Sequence, residues 1–240
     1  MHYDWLAALA FFATLTALTL AGSFLAFRVP ALQRMRELNR EADERKLARE
    51  RFREAVKSNN RAGLILNWAF YIAVLPFCVS FEARPLWRHA VDAAAVLLVF
   101  DFFYYWTHRY VFHGKPMRKQ HALHHQARTP TYVDALYVHP LETIIGLGLF
   151  LFSIPLVAWI GGGPLNVFSA AFATLVFTQV NTINHTYVNL PRFPFKTLDY
   201  VTSVHAAHHV DMNQGNFATL TMIYDWMFGS LEKPVSRPVP

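Results

Sequence analysis

The sequence predicts an all-α, polytopic membrane bundle of about four or five transmembrane helices with a histidine-rich cytoplasmic helical cap. The first observation is composition: 54% of the 240 residues are hydrophobic and only 16% are charged, against a usual charged share of about 25%. The second is a series of long apolar segments, and the third is the clustering of ten of the 12 histidines between His108 and His209. This composition excludes a disordered chain. A single cysteine, Cys78, excludes a disulfide framework and a cysteine-rich metal site.

Five segments are candidates to cross a bilayer, because a membrane-spanning helix needs about 20 predominantly apolar residues. They are residues 4–27, 62–81, 90–107, 141–160 and 164–184. The first is too long for a signal-peptide core and lacks a positive leader, so we expect a retained helix. The sequence Gly161-Gly162-Gly163-Pro164 predicts a tight turn between the last two. The alternative is that some segments are buried helices of a soluble protein.

The positive charges are distributed as in a membrane protein. A net charge of +6 could indicate nucleic acid, but residues 28–61 alone carry 11 of the 22 Lys and Arg, and the others flank apolar segments. With the N-terminus outside and five crossings, residues 28–61, 108–140 and 185–240 face the cytoplasm and hold 20 of the 22. The positive-inside rule supports this orientation, which excludes nucleic acid as a partner and places the clustered histidines at the cytoplasmic face.

The charged segment 28–61 has two interpretations. Apolar residues at helical spacing predict helix, and the segment links the first apolar segment to the core that begins at residue 62. It is either a basic helix on the inner membrane surface or a solvated helical linker with opposite charges on neighbouring turns. We therefore expect a single integral-membrane domain over residues 1–240, with residues 1–61 as a transmembrane helix and basic linker.

The histidines form repeated patterns with metal-ligand spacing. The sequence His-x-x-His-His occurs at 121–125 and again at 205–209, whereas chance at this histidine content supplies roughly 0.03 such matches. On a helix, positions i, i+3 and i+4 share a face. His108 and His113 are five residues apart, which is unfavourable for one α-helical face, so Gly114 is expected to end the helix and free His113 to turn.

Imidazole ligands suit zinc, copper, iron and nickel, and the spacing alone does not choose between iron and zinc. Structural zinc sites usually close with four ligands and often include cysteine, but no cysteine lies near these histidines. Nine or ten imidazoles are enough to hold two metal ions with open positions. Such a site beside an apolar cavity suits oxygen activation on a lipid.

The boxes His-x4-His, His-x-x-His-His and His-x-x-His-His between apolar segments resemble the fatty acid hydroxylase / sterol desaturase superfamily. The lead-in from Asp101 to Arg109, the element Val138-His139-Pro140-Leu141-Glu142, and the C-terminal runs 213–217 and 224–229 are also similar to that family. The resemblance covers about residues 90–233. It implies an integral-membrane non-haem enzyme with two iron ions that uses O2 and external electrons to hydroxylate or desaturate a lipid C–H bond, so that residues 62–240 form the catalytic core.

The resemblance also assigns residues. It implies metal ligands at His108, His113, His121, His124, His125, His185, His205, His208 and His209, with His139 as a tenth candidate. Some relatives have a further histidine where this chain has Asn189. Asp101 lies two helical turns before His108 and could orient a ligand imidazole or make a helix–helix hydrogen bond. Glu142 could orient His139 in the same way.

Partners and rival functions follow from these assignments. A lipid substrate in the membrane and a separate electron-donor protein are expected, because the membrane core uses the whole of the 240 residues. The rivals are a bis-histidine haem protein, a membrane zinc hydrolase and a non-catalytic metal-binding protein. The alanine- and arginine-rich composition favours a bacterial inner membrane, with the endoplasmic reticulum as the alternative. The lipid, and hydroxylation against desaturation, are not encoded in any motif of the sequence.

Overall fold

The computed structural model describes residues 2–240, and most of them are helical. The elements in chain order are α1 (Trp5–Ala26), α2 (Pro30–Leu47), α3 (Glu50–Ala73), α4 (Leu75–Cys78), β1 (Val79–Ser80), α5 (Leu86–Thr107), a π-helical turn (His108–Phe112), α6 (Arg118–His121), 3₁₀ turns at His124–Gln126 and Tyr132–Leu136, α7 (Pro140–Ile160), β2 (Leu165–Asn166), α8 (Val167–Ile183), α9 (Lys196–Val210) and α10 (Ile223–Met227).

Three helices are long and apolar enough to cross a membrane, judged by length and composition. They are α1, α5 with its π-helical extension (Leu86–Phe112), and α7. A helix of 22 residues is about 33 Å long, which matches a hydrocarbon core of about 30 Å. The apolar helix α8 has only 17 residues. The predicted helical membrane bundle is therefore confirmed in outline, with three candidate spans where the sequence predicted about four or five.

The predicted segment 62–81 does not form one helix, for a local reason. Helix α3 begins far upstream at Glu50, so its first half is charged, and it ends at Ala73. Pro76 follows shortly. Proline has no N–H to continue the hydrogen bonds of α3, and its ring clashes with the carbonyl four residues earlier. The chain breaks at Val74 and resumes as the short helix α4. The apolar part of this segment is thus divided between two helices.

The helices pack around an apolar core to which α1, α5, α7 and α8 all contribute. Small residues on α8, among them Ala170 and Ala171, are fully buried and let the neighbouring helices approach closely. Phe150 of α7 stacks on Phe177 of α8 with ring centroids 3.9 Å apart. Stacking of this kind adds to the burial of two large apolar side chains, and it fixes α7 against α8.

One end of the bundle, which we name the opposite end, comprises residues 74–86 and 161–166. Here β1 and β2 pair in parallel, with Val79 opposite Leu165. The predicted turn between α7 and α8 is present, and Gly162 has a φ of 78°, a conformation that favours glycine. Arg84 and Arg88 both bind the buried carboxylate of Asp92, so this end holds a compact charged cluster.

The other end, which we name the histidine end, comprises residues 27–61, 108–139 and 184–240. Phe52 of α3 stacks on Tyr137 at 4.1 Å. Asp43 of α2 accepts hydrogen bonds from Thr131 Oγ1 and Val133 N at 2.7 and 3.1 Å. The charged segment 28–61 is therefore helical, with an exposed charged face and a second face that packs on the histidine end. That packed face distinguishes it from a fully solvated linker.

Candidate metal centre

Nine of the ten predicted metal ligands converge at the histidine end, and all nine are buried, none more than 7% exposed. They form two groups in which the ring nitrogens of each group lie within 4.8 Å of one another. The five-histidine group contains His108, His113, His121, His125 and His208, and the four-histidine group contains His124, His185, His205 and His209. Three distant parts of the chain thus meet at one place.

In the five-histidine group the Nε2 atoms face one another. The Nε2 atom of His121 lies 3.1 Å from that of His108 and 3.0 Å from that of His113. His208 is 3.2 Å from His108 and 3.1 Å from His113, measured in the same way. His125 is 3.1 Å from His121. The four contacts among His108, His113, His121 and His208 form a closed ring of nitrogens, and His125 lies beside this ring.

The four-histidine group has the same character. His185 Nε2 lies 3.1 Å from the Nε2 atoms of both His124 and His205. His209 Nε2 is 3.3 Å from that of His205, and its ring centroid is 4.5 Å from that of His124. His185 is the central member in the sense that its Nε2 atom lies 3.1 Å from the Nε2 atom of one histidine in each His-x-x-His-His box.

Each His-x-x-His-His box is divided between the two groups. In the first box, His121 and His125 belong to the five-histidine group and His124 to the other. In the second box the roles are reversed, since His208 joins the five-histidine group while His205 and His209 join the other. Residues four apart on a helix share a face, and the residue three apart lies slightly to one side. The two boxes thus face each other, and each box contributes histidines to both groups.

The pair His108 and His113 is brought together by the π-helical turn. His113 N donates to His108 O at 3.0 Å, the five-residue bond that defines a π-helix. The wider turn keeps both residues on one side of the chain, so the five-residue spacing that is unfavourable for an α-helix becomes suitable. The helix does end there, and Gly114 follows at a point where a Cβ would lie 1.9 Å from Tyr110 O.

The second ring nitrogen of most of these histidines is held by an oxygen. Three backbone carbonyls of the segment 212–217 accept from the five-histidine group: Phe217 O from His108 Nδ1 at 2.7 Å, Met212 O from His113 Nδ1 at 2.6 Å, and Gly215 O from His208 Nδ1 at 2.7 Å. In the four-histidine group, Asn181 O accepts from His185 Nδ1 at 3.0 Å. An acceptor at Nδ1 fixes the proton there and leaves the Nε2 lone pair directed at the centre.

Glu142 performs the same task with a carboxylate. Its Oε2 atom accepts from His121 Nδ1 at 2.6 Å, and both side chains are buried. The predicted partner of Glu142 was His139, and the contact between those two is different. His139 N donates to Glu142 Oε1 at 3.3 Å, and the His139 ring caps α7 by accepting from Leu141 N. His139 belongs to neither nitrogen group.

Asp101 is fully buried but binds backbone, with no histidine among its partners in the described part of the chain. Its two oxygens accept from the N–H groups of residues 219, 220 and 221 at 3.0–3.1 Å and from Thr221 Oγ1 at 2.7 Å. Asp225 holds the same segment by accepting from Phe217 N at 2.8 Å. Both carboxylates therefore act on the loop that presents the Phe217 carbonyl to His108.

The histidines of the two groups that lie outside the candidate spans are uncharged at neutral pH. Burial lowers the pKa of His113 and of His185 to about 4 and that of His208 to about 3. Burial together with the neighbouring imidazoles also lowers the pKa of His121 and His125 far below the usual range. A neutral imidazole is the form that binds a metal ion, so the cluster is preformed for metal.

The geometry fits two metal ions with nitrogen ligands. Metal–imidazole bonds are about 2.0–2.1 Å long, so neighbouring ligands of one ion are about 3.0–3.4 Å apart. The Nε2 separations of 3.0–3.3 Å fall in this range. Sequence reasoning selected the nine histidines that converge, but it missed the carbonyls of residues 212–217. The nearest signal was Gly215, which has no space for a Cβ beside Ser230 O.

Together, the apolar helices and the two buried all-histidine groups define a class: helical proteins with candidate membrane spans and two histidine groups that could each hold a metal ion. The family model for fatty acid hydroxylase matches residues 93–230, which is more than half of the chain. The chain belongs to this family, and the predicted membership of the fatty acid hydroxylase / sterol desaturase superfamily is confirmed.

Three relatives illustrate what the chain is similar to. A Dictyostelium discoideum protein provisionally named a methylsterol monooxygenase is 31% identical over 60% of this chain and 52% of its own length. Methylsterol monooxygenase 1 of Rattus norvegicus is 25% identical over 70% of this chain and 56% of its length. Very-long-chain aldehyde decarbonylase GL1-5 of Oryza sativa subsp. indica is 27% identical over 62% of this chain and 25% of its own length. The chain thus spans about half or less of these relatives. No solved structure matches it.

Proposed function

We propose that this chain is a membrane-bound non-haem di-iron oxidoreductase that uses O2 and external electrons to hydroxylate or desaturate a lipid C–H bond. The observation that carries the proposal is the division of nine buried imidazoles into groups of five and four, with their Nε2 atoms 3.0–3.3 Å from their neighbours. Family membership and the names of the relatives point to the same chemistry.

The two groups would hold one iron ion each, and the metal would supply the O2 activation that an unactivated C–H bond requires. The chain's own residues orient the imidazoles and shield the centre from water. Glu142 and the carbonyls of residues 212–217 keep the imidazoles in one tautomer and one orientation. Burial of all nine rings keeps bulk water from the centre. The apolar helices place a lipid chain beside the histidine end.

The alternatives fit the geometry less well. A zinc hydrolase needs a general base beside the metal-bound water, but Glu142 is engaged on the outer nitrogen of His121. A bis-histidine haem protein needs space for a porphyrin between its axial ligands, and these Nε2 atoms are in van der Waals contact. The five-histidine group has more ligands than the four with which a structural zinc site usually closes.

We also propose an orientation for the chain in the bilayer. The histidine end would face the cytoplasm, because the positive-inside rule assigns to it 20 of the 22 Lys and Arg. In this arrangement α1, the apolar half of α3, α5, α7 and α8 would all lie within the membrane. A separate electron-donor protein would approach from the cytoplasm, where the nine histidines lie. A bacterial inner membrane is the proposed location.

The first experiment measures metal per chain. Purification in detergent without added metal should yield about two iron ions per chain for the wild type, since the two groups are separate. The variant His205→Ala/His208→Ala/His209→Ala should bind little, because it removes ligands from both groups. His89→Ala is the matched control, since His89 contacts Ser169 near the opposite end. A folded wild-type preparation without bound metal would contradict the proposal.

The second experiment measures oxygen use. The iron-loaded protein with a reductase, supplied with sterol, fatty acyl and aldehyde lipids in turn, should consume O2 only with the accepted lipid. Mass spectrometry of the product then separates an added oxygen atom from a lost pair of hydrogens. Oxygen consumption that does not depend on any lipid would contradict the assigned chemistry and leave a metal-binding protein.

A further inference from the structure

The central ligand of the four-histidine group sits on an irregular segment. His185 follows the end of α8 at Ile183, and residues 187–190 have no regular secondary structure. Its Nε2 atom nonetheless has to lie within 3.1 Å of both His124 and His205. The last turn of α8 holds the His185 ring, since Asn181 O accepts from His185 Nδ1 at 3.0 Å, but the segment that follows His185 has no helix of its own. The path of that segment therefore depends on contacts from elsewhere in the chain.

Asn39 of α2 supplies the first contact. Its side chain is buried, and it forms two hydrogen bonds with the backbone of Tyr187. Asn39 Nδ2 donates to Tyr187 O at 2.8 Å, and Tyr187 N donates to Asn39 Oδ1 at 2.8 Å. The amide thus pairs with Tyr187 as a neighbouring β-strand would. This contact reaches the segment from the N-terminal part of the chain.

Arg237, near the C-terminus, supplies the second contact to the segment after His185. Its Nη1 donates to Thr186 O at 2.9 Å, and its Nη2 donates to Val188 O at 2.8 Å. The guanidinium also lies 5.3 Å from the centre of the Tyr187 ring. Nη2 donates further to Thr202 Oγ1 at 2.9 Å. Thr202 is one helical turn before His205, so Arg237 connects the segment after His185 with the helix that carries His205.

The five-histidine group is held by different contacts, namely Glu142 and the carbonyls of residues 212–217. Asn39 and Arg237 touch none of those atoms. Both also lie outside residues 93–230, the part that matches the family model. The contacts that hold the segment after His185 therefore come in part from outside the matched region, and they can be removed without touching the contacts of the five-histidine group.

We propose that Asn39 and Arg237 are positioning residues for the four-histidine metal site: they clamp residues 186–188 so that His185 lies against His124 and His205. The inference rests on the proposed function, since it assumes that each group binds a metal ion. Loss of a supporting hydrogen bond typically weakens metal binding about 10–100-fold. Arg237→Ala should therefore weaken metal binding at the four-histidine site and spare the five-histidine site.

The test counts metal ions on full-length protein purified in detergent and dialysed against a weak chelator. Arg237→Ala and Asn39→Ala should each retain about one iron ion per chain, whereas the wild type retains about two. His185→Ala should also retain about one. Arg192→Ala is the matched control, because Arg192 is exposed on the same loop, and it should retain both ions. The ion that remains in the five-histidine site reports that the variant is folded.

Two double variants, a chemical rescue and one conservative substitution separate positioning from general stability. Adding Arg237→Ala to His185→Ala should cause no additional loss, whereas adding it to His113→Ala should remove both ions. Free guanidinium in the buffer should restore the second ion to Arg237→Ala but not to His185→Ala. Arg237→Lys should still retain only about one iron ion per chain, because an ammonium group lacks the planar fork that donates to two carbonyls at once.

The outcomes are distinguishable. If Arg237→Ala retains both ions, or loses both together, the positioning role is overturned while the metal centre stands. If the wild type itself binds no metal, the proposed function fails first.

Discussion

At the scale of single residues, His121 and Glu142 form the one carboxylate–imidazole pair of the centre. Glu142 Oε2 accepts from His121 Nδ1 at 2.6 Å with both groups buried. A carboxylate in this position makes the other nitrogen a stronger ligand and holds the ring in place. His121 also has the most Nε2 neighbours in its group, since it contacts His108, His113 and His125.

We therefore predict that Glu142→Gln weakens metal binding at the five-histidine site about tenfold and that Glu142→Ala weakens it further. Glutamine keeps an acceptor oxygen but loses the charge, whereas alanine loses both. The measurement is iron retained per chain against increasing chelator concentration. Glu37→Gln on the exposed face of α2 is the control, and equal retention in all four proteins would contradict the prediction.

Asp101 shows where residue-level reasoning from sequence stopped. Its burial inside an apolar helix marks it as functionally interesting, but its four hydrogen bonds go to the loop 219–221 and not to an imidazole. The sequence could place Asp101 on the same helical face as His108. It could not show that a loop more than a hundred residues later would occupy that face.

Asp101→Asn should destabilise the protein by roughly 2 kcal/mol, because hydrogen bonds to a charged acceptor are strong and an amide cannot accept on both atoms. The expected result is a lower unfolding temperature in detergent with both metal ions still bound at low temperature. Asp211→Asn is the comparison, since Asp211 is exposed and binds Asn213. Loss of metal without loss of stability would instead assign Asp101 a direct role at the centre.

At the scale of elements, the spacing of the histidine boxes was sufficient to predict which residues converge, and helical periodicity explains why. It was insufficient for the assignment of each ligand to a group. Periodicity predicts a shared face for His121, His124 and His125, yet His124 lies in a different group from the other two. The second box is divided in the same way inside the regular helix α9, where His208 lies in a different group from His205 and His209. The division therefore reflects the offset of the third position on each helical face and the way the two boxes face each other, and the sequence does not encode that mutual orientation.

The π-helical turn leads to a prediction at Gly114. A Cβ on this residue would lie 1.9 Å from Tyr110 O, so Gly114→Ala forces the turn to open. We expect a loss of about 1–3 kcal/mol of stability and a weakened five-histidine site, because His113 moves with the turn. The measurements are thermal unfolding and iron per chain.

Gly148→Ala is the matched control, since nothing lies within 4 Å of a Cβ there. Alanine is the better helix former by about 1 kcal/mol, so this variant should be at least as stable as the wild type. An unfolding temperature of Gly114→Ala equal to that of Gly148→Ala would show that the turn does not need glycine.

At the scale of the whole molecule, the chain has two chemically different ends. Helix α5 begins near Arg84 and Arg88 at the opposite end and continues into the turn that carries His108. Helix α7 begins at Pro140, carries Glu142 in its first turn beside His121, and returns to the Gly162 turn. The apolar composition predicted this arrangement of membrane helices. The number of spans was harder to predict, because hydropathy does not show that α3 starts in a charged segment or breaks at Val74.

The proposed orientation makes a prediction for cysteine labelling. Ser58 lies at the histidine end of α3 and Ala83 at the opposite end, and both are exposed. In sealed inner-membrane vesicles that expose the cytoplasmic face, a membrane-impermeant maleimide should label Ser58→Cys and not Ala83→Cys. Intact spheroplasts should give the reverse. The native Cys78 is buried and serves as the unlabelled background. Labelling of both variants from one side would refute the orientation.

The two nitrogen groups are joined by covalent bonds at two places. His124 and His125 are neighbours in the chain and belong to different groups, as are His208 and His209. In both pairs the ring centroids are 6.0 Å apart and the rings are nearly perpendicular, at 87° and 90°. Consecutive Cα atoms are about 3.8 Å apart in any trans chain, so bond lengths, more than packing, set the distance between the groups. Substitutions in the surrounding helices can change the packing around the centre and leave that distance unchanged. An inserted or deleted residue would be needed to alter it.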